Sequence, residues 1–209
     1  MVFAVGVILS YLIGSLSFST IIGRIVAHID IRQHGSGNAG ATNTLRVLGV
    51  KWAILVLVLD IAKGVVVVLA ASRWFPNTSP LFLYSCGIAV IVGHNWPVFF
   101  RFKGGKGVAT TIGVLAVSMF HPAIIAGAFA LALISVTRYV SLGSLSFTTL
   151  TSVLAAIMYP SVIPSIFGAI VAAFSILRHR QNIVRLWNGT ERRIFEKKEA
   201  NLSSKEEEH

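Results

Sequence analysis

The 209-residue chain is 55% hydrophobic and only 12% charged, with a mean hydropathy of +0.76. So few polar side chains cannot cover a surface in water, which excludes an ordinary water-soluble globular protein and makes the bilayer the solvent. One cysteine, Cys86, excludes a disulfide framework and a thiolate metal cluster, and the formal charge of +10 reads as cytoplasmic loops facing anionic lipid rather than as a nucleic-acid surface.

The first apolar run, residues 2–23, has no basic stretch before it and continues past signal-peptide length, so it is expected to be a spanning helix. Runs 52–72 and 81–98 are also close to the roughly 20 residues that cross a hydrocarbon core. Residues 108–137 would make one helix about 45 Å long, well beyond a core of about 30 Å, and His121-Pro122 is expected to divide it. Pro160 and Pro164 are expected to divide 145–177 in the same way.

The predicted fold is therefore an all-α integral membrane protein of seven transmembrane helices, the later ones short. A five-span alternative keeps the long helices whole, kinked and tilted. With the amino terminus outside, seven spans place Arg24, Arg32, Arg46, Lys51, Arg101, Lys103, Lys106, Arg138 and the basic stretch from Arg178 in the cytoplasm, leaving only Arg73 outside. The carboxyl terminus is then cytoplasmic. Residues 1–193 read as one transmembrane domain and 194–209 as a polar, disordered tail.

Seven spans bring four polar segments to one compartment. Any one of them alone is also an ordinary interhelical turn with lipid-anchoring charges. The first is Gly35-Ser-Gly-Asn-Ala-Gly-Ala-Thr-Asn43, followed by Arg46; its glycines let backbone approach a ligand closely, and successive N–H groups beside a guanidinium suit a phosphate oxyanion. The second, Gly93-His-Asn-Trp-Pro-Val-Phe-Phe-Arg-Phe-Lys-Gly-Gly-Lys-Gly-Val-Ala-Thr110, is expected to place a basic turn before a helix beginning near Val108. It lacks the spacing and the preceding strand of a Walker A loop. Lys103 can snorkel to headgroups, whereas Lys106 between glycines has little apolar surface to cover and is favoured as a phosphate ligand.

The third segment, Arg138 to Ser144, says little alone. The fourth is Arg178-His-Arg-Gln-Asn-Ile-Val-Arg-Leu-Trp-Asn-Gly-Thr-Glu191, where His179 and Asn182 share a face if the helix continues and the flanking arginines disfavour a charged histidine. Inside the second span, Asp60 and Lys63 at i, i+3 can satisfy each other or mark a functional site, and His94 is similarly open.

Absences narrow the chemistry. No His-x-x-x-x-Asp pair, no His/Cys metal cluster and no Ser-His-Asp arrangement is readable, so an enzyme built this way needs little general-base assistance. A transporter for phosphorylated metabolites is the rival reading, with the basic loops as a vestibule.

In order and spacing, the segments Gly35–Asn43, Gly93–Thr110 and Arg178–Glu191 resemble those of the bacterial acyl-phosphate:glycerol-3-phosphate acyltransferase family, over nearly the whole chain apart from the final tail. The resemblance implies transfer of a fatty acyl group from acyl-phosphate to the 1-hydroxyl of glycerol 3-phosphate, giving lysophosphatidate for phospholipid synthesis. No acyl-CoA, cofactor or metal is implied. The partners implied are the two substrates and membrane lipids, with no nucleic acid and no obligate protein partner. The place implied is the cell inner membrane, multi-pass, with the active site facing the cytoplasm.

Carried onto this chain, the resemblance implies catalytic positions at Lys106, Ser144, His179 and Asn182. Ser144, His179 and Asn182 are to orient the donor or the attacking hydroxyl. Ser36, Gly37, Asn38, Thr42, Asn43, Arg46, Lys103, Gly104, Gly105, Gly107, Arg138 and Glu191 are the implied substrate- or phosphate-binding positions.

Overall fold

The computed structural model describes residues 1–74 and 79–194. Ten α-helices follow one another among them: α1 Val2–Gly14, α2 Phe18–Ala27, α3 Ala41–Leu48, α4 Val50–Trp74, α5 Pro80–Asn95, α6 Val108–Ser118, α7 Phe120–Thr137, α8 Val140–Met158, α9 Val162–Arg178 and α10 Arg180–Trp187. Five segments are long and apolar enough to cross a membrane: Val2–Ala27, Val50–Trp74, Pro80–Phe100, Phe120–Thr137 and Val140–Met158. The pair α9 and α10, bent by 65°, makes a sixth if it is one broken span. Helix α6, at 11 residues, reaches only about 16 Å, near half of a hydrocarbon core.

The expected divisions occur, each shifted by local chemistry. The long run from 108 breaks at Met119 rather than at His121-Pro122, because Pro122 falls in the first turn of α7, where a missing N–H costs no helical bond. Likewise Pro160 lies in the α8–α9 turn, but Pro164 sits inside the first turn of α9, which Ser161 caps through the Ile163 N–H. Helix α8 begins at Val140, so the segment from Arg138 to Ser144 is a tight turn at Arg138 and Tyr139, and Ser141 and Ser144 ride on helix. For these reasons α7, α8 and α9 run to 18, 19 and 17 residues, longer than the sequence suggested.

The first apolar run is not one straight helix. It breaks at Ser15–Ser17, where the Gly14 and Leu16 carbonyls turn from the helical ladder to the Lys63 ammonium, at 3.1 and 2.9 Å. Residues 195–209, the greater part of the expected tail, lie outside the described residues.

Helix α4 packs on α6, α1 on α5, and α8 between α7 and α9. The core these contacts enclose includes Phe82, Val90, Ile91, Leu115, Met119 and Phe167. Outward-facing Ile54, Val58, Val66, Leu131 and Ile157 stay exposed, as expected where lipid is the solvent. Two crossings are in backbone contact. A Cβ on Gly14 would stand 2.2 Å from the Val90 carbonyl oxygen, and one on Gly93 equally close to that of Tyr11. Between α4 and α6, Gly64 meets the Thr110 carbonyl and Gly113 that of Ile61 in the same way.

Candidate active site

At one end of the bundle the loop before α3, the carboxyl ends of α5, α7 and α9 and the amino ends of α6 and α8 converge on a cleft of about 780 Å³. Its first wall is the glycine-rich loop. Left-handed Gly35 (φ 64°) and Gly37 (φ 73°) fold the chain back on Asn43, and a Cβ on Gly35 would collide with the Asn43 amide. Buried Asn43 accepts from the backbone N–H and hydroxyl of Ser36 and donates to the Ile31 and His34 carbonyls. Asn43, in the first turn of α3, is thus saturated by the loop before it, and Ser36 and Asn38 of that loop border the cleft with Thr42 and Arg46 of α3.

The second wall is the turn before α6. Gly107 takes φ 81° at the amino end of that helix, a conformation that suits glycine. Gly104 and Gly105 lie against His94 so closely that a Cβ on either would stand 2.1 Å from its carbonyl oxygen or its Nε2. The Gly105 N–H donates to the His94 carbonyl, while the Arg178 guanidinium, 5.4 Å from the centre of the Trp96 ring, donates to the carbonyls of Gly104 and Gly105. This clamp fixes where Lys106 emerges.

Opposite stands the third wall, from α8, α9 and α10. Lys106 Nζ donates to Asn182 Oδ1 at 2.6 Å, and Asn182 Nδ2 donates to Glu191 Oε1 at 2.6 Å. The same carboxylate accepts from Ser141 Oγ and from Arg185 Nε, both at 2.8 Å. Among the described residues Asn182 is the one hydrogen-bond acceptor of the Lys106 ammonium, which carries three N–H groups. His179, at the bend between α9 and α10, directs Nδ1 to the Ser175 carbonyl at 2.8 Å. A carbonyl only accepts, so Nδ1 holds the proton, and in the neutral ring the lone pair is on Nε2.

Electrostatics follow from this crowding. Burial, reinforced by Arg185, Arg46 and Arg178 and opposed by Glu191, pushes the Lys106 ammonium down to about 8. Burial and then the Lys106 charge push the His179 imidazole down to about 4, which keeps it neutral near pH 7. Burial raises the Glu191 carboxyl, but hydrogen bonds from Asn182, Arg185 and Ser141 outweigh it and hold the group below its ordinary value.

Residues 4–189 match the family model described as glycerol-3-phosphate acyltransferase. The chain belongs to that family. A glycerol-3-phosphate acyltransferase of Halalkalibacterium halodurans is 54% identical over 198 residues, 92% of this chain and 96% of the relative. One from Shouchella clausii is 51% identical over 195 residues, 91% and 95% of the two chains. The crystal structure of PlsY, an integral membrane glycerol 3-phosphate acyltransferase, superposes in its glycerol 3-phosphate form with a TM-score of 0.87 at 38% identity, covering 92% of this chain and 96% of that one. Its lysophosphatidic acid form gives 0.84. As a member of the acyltransferase family this chain is an enzyme, integral and multi-pass in the membrane.

Of the residues that the sequence singled out, Ser36, Gly37, Asn38, Thr42, Asn43, Arg46, Lys103, Gly104, Lys106, Gly107, Ser144, His179, Asn182 and Glu191 all border the cleft. Gly105 and Arg138 do not: Gly105 is covered by Arg178 and His94, and Arg138 ends α7 with φ 61° and accepts the Ile194 N–H on its carbonyl. The carboxylate of Glu191 would repel a phosphate, and it serves as the acceptor that organises Asn182 and Arg185. Sequence reasoning missed Arg185, Ser141 and the clamp role of Arg178. An arginine six residues before the first glutamate of the chain was the available signal for the first, since acids are scarce in this chain.

Proposed function

We propose that the chain transfers a fatty acyl group from acyl-phosphate to the 1-hydroxyl of glycerol 3-phosphate, releasing lysophosphatidate and inorganic phosphate. The observation that carries this reading is the Lys106 ammonium, half-buried in the cleft with a single acceptor among the described residues, so that N–H groups remain for a substrate anion. The cleft also holds Leu57, Ile112, Leu131 and Ile134, an apolar continuation from the cationic end that suits a donor whose tail stays in the membrane.

In the step itself the 1-hydroxyl oxygen attacks the acyl carbon, the bond from that carbon to the bridging phosphate oxygen breaks, and phosphate leaves with the electron pair. Ser36, Thr42, Arg46 and Lys106 hold phosphate oxygens, and Lys106 also offsets negative charge as it develops. Neutral His179 presents Nε2 as the acceptor that orients the hydroxyl. A group this reluctant to stay protonated passes the proton on, and the departing phosphate is its destination.

The topology we propose has seven crossings, amino terminus outside and carboxyl terminus cytoplasmic, in the cell inner membrane with the cleft facing the cytoplasm. Both the start of α6 and the end of α7 border one cleft, which supports an out-and-back pair despite the shortness of α6. Residues 1–193 act as one catalytic domain.

Purified protein in lipid, given labelled glycerol 3-phosphate with either palmitoyl phosphate or palmitoyl-CoA, should make lysophosphatidate from the phosphate donor only. Product from the CoA donor alone, or none from folded protein, overturns the reading.

A further inference from the structure

Asp60, Lys63 and His94 form a polar cluster at the floor of the cleft, inside the span of α4 and the end of α5; Asp60 and His94 border the cleft and Lys63 lies beneath them. All three are buried, with 1, 4 and 5% of their surfaces exposed. Charges at such depth are costly unless they are paired. Lys63 Nζ stands 2.7 Å from Asp60 Oδ1, 3.0 Å from His94 Nδ1, and 3.1 and 2.9 Å from the Gly14 and Leu16 carbonyls. That is four acceptors for three N–H groups, with the Phe18 ring 5.5 Å away on a further side. No N–H is left for a ligand, so the ammonium binds protein.

What it binds reaches the reacting end. The ring held by Lys63 belongs to His94, on which Gly104 and Gly105 rest with no room for a Cβ, and whose carbonyl accepts the Gly105 N–H at 3.1 Å. Lys106 is the next residue. On the other side the Gly14 and Leu16 carbonyls exist as free acceptors only because the first helix breaks there, and Gly14 and Gly93 lock that break against α5. The cluster thus spans from the α1–α2 break, through α4 and α5, to the turn that carries Lys106.

We propose that Lys63 is a positioning residue for acyl transfer: with Asp60 it fixes the ring of His94, and through that ring the seat of the Gly104–Gly105 turn and the placement of the Lys106 ammonium. This rests on the reading that Lys106 acts in the reaction. Placement errors near 1 Å cost on the order of 100-fold in rate, so a shifted turn lowers turnover while Lys106 itself is still present.

The test compares wild type with the double variant Asp60→Asn, Lys63→Met, which leaves no unpaired buried charge, with His94→Gln, which keeps the backbone carbonyl but not the ring, and with Lys106→Ala. Each is purified, checked for folding by its melting temperature, and assayed in lipid for kcat and KM from pH 6 to pH 10. Lys106 faces Arg46 from α3, Arg178 and His179 from the end of α9, Asn182 and Arg185 from α10, and Glu191. Burial among these groups pushes Lys106 down to about 8, so the wild-type alkaline limb is expected near that value. The expected result is a fall in kcat of about tenfold or more in both cluster variants, with the alkaline limb moved toward the ordinary lysine range as the displaced turn lets water reach Lys106.

A purely structural role predicts fewer active molecules and an unmoved limb, and that result overturns the proposal. So does wild-type kcat in either folded variant, or failure of both to fold. If Lys106→Ala keeps wild-type turnover, the functional reading falls first. If it is inactive while the cluster variants behave as wild type, only the present inference falls.

Discussion

Two lysines of this molecule sit in contrasting surroundings. Lys63, deep in the bundle, has four acceptors around its ammonium, and Lys106, at the cleft, has a single acceptor among the described residues. Both side chains are drawn from water and both lie close to a carboxylate network, so neither charge nor burial separates them. The number of unspent N–H groups does. A saturated ammonium holds protein together, whereas an unsaturated one is a standing offer to an anion.

The sharpest way to break this contrast is to delete the unsaturated partner. Lys106→Ala should cut turnover by about 100-fold or more and leave the melting temperature near that of wild type; activity within twofold of wild type would refute the assignment. Next in size is His179→Ala, expected to lower kcat roughly 30-fold through a misoriented hydroxyl, with a smaller change in KM for glycerol 3-phosphate. A change confined to KM would make His179 a binding residue.

Glu191→Gln addresses the other side of the contrast, because the carboxylate holds Asn182, Ser141 and Arg185 and so aims the acceptor of Lys106. Losing the charge from that hydrogen-bonded set should cost about tenfold in kcat/KM, measurable in the same assay. Unaltered kinetics would show that Lys106 needs no such support. The smallest effect is on pH. With protonated Lys106 as the proposed active form and burial pushing its ammonium down to about 8, activity should be full below that value, halve near pH 8 and fall further as pH rises. On the acid side neutral His179, at about 4, should keep activity nearly flat down to pH 5.

Much of this was legible in the chain. Glycine spacing around Gly35–Asn43 and Gly104–Gly107, and basic residues beside both, marked the walls before any coordinate did. The division of the two long apolar runs was legible too, from length against bilayer thickness. Positions of the breaks were not, because Pro122 and Pro164 are tolerated in a first turn and only the chain around them decides which side of the break they fall on. The break at Ser15–Ser17 was invisible for a different reason: its cause, Lys63, lies 47 residues away from Leu16. Asn43 and Glu191 were found as residues but their protein partners were not, since sequence shows a polar group without showing which neighbours occupy it.

The four glycines at the α1–α5 and α4–α6 crossings carry a consequence for how such a small enzyme can diversify. Where main chain lies directly on main chain there is no side-chain size to vary, so the spacing of these helices is a fixed dimension. Membranes of different thickness or fluidity can then be met by exchanging the lipid-facing residues, such as Ile54, Val58 and Leu131, as one would change the cladding on a frame. The cleft at the end of that frame inherits its tolerances from the joints and not from the cladding.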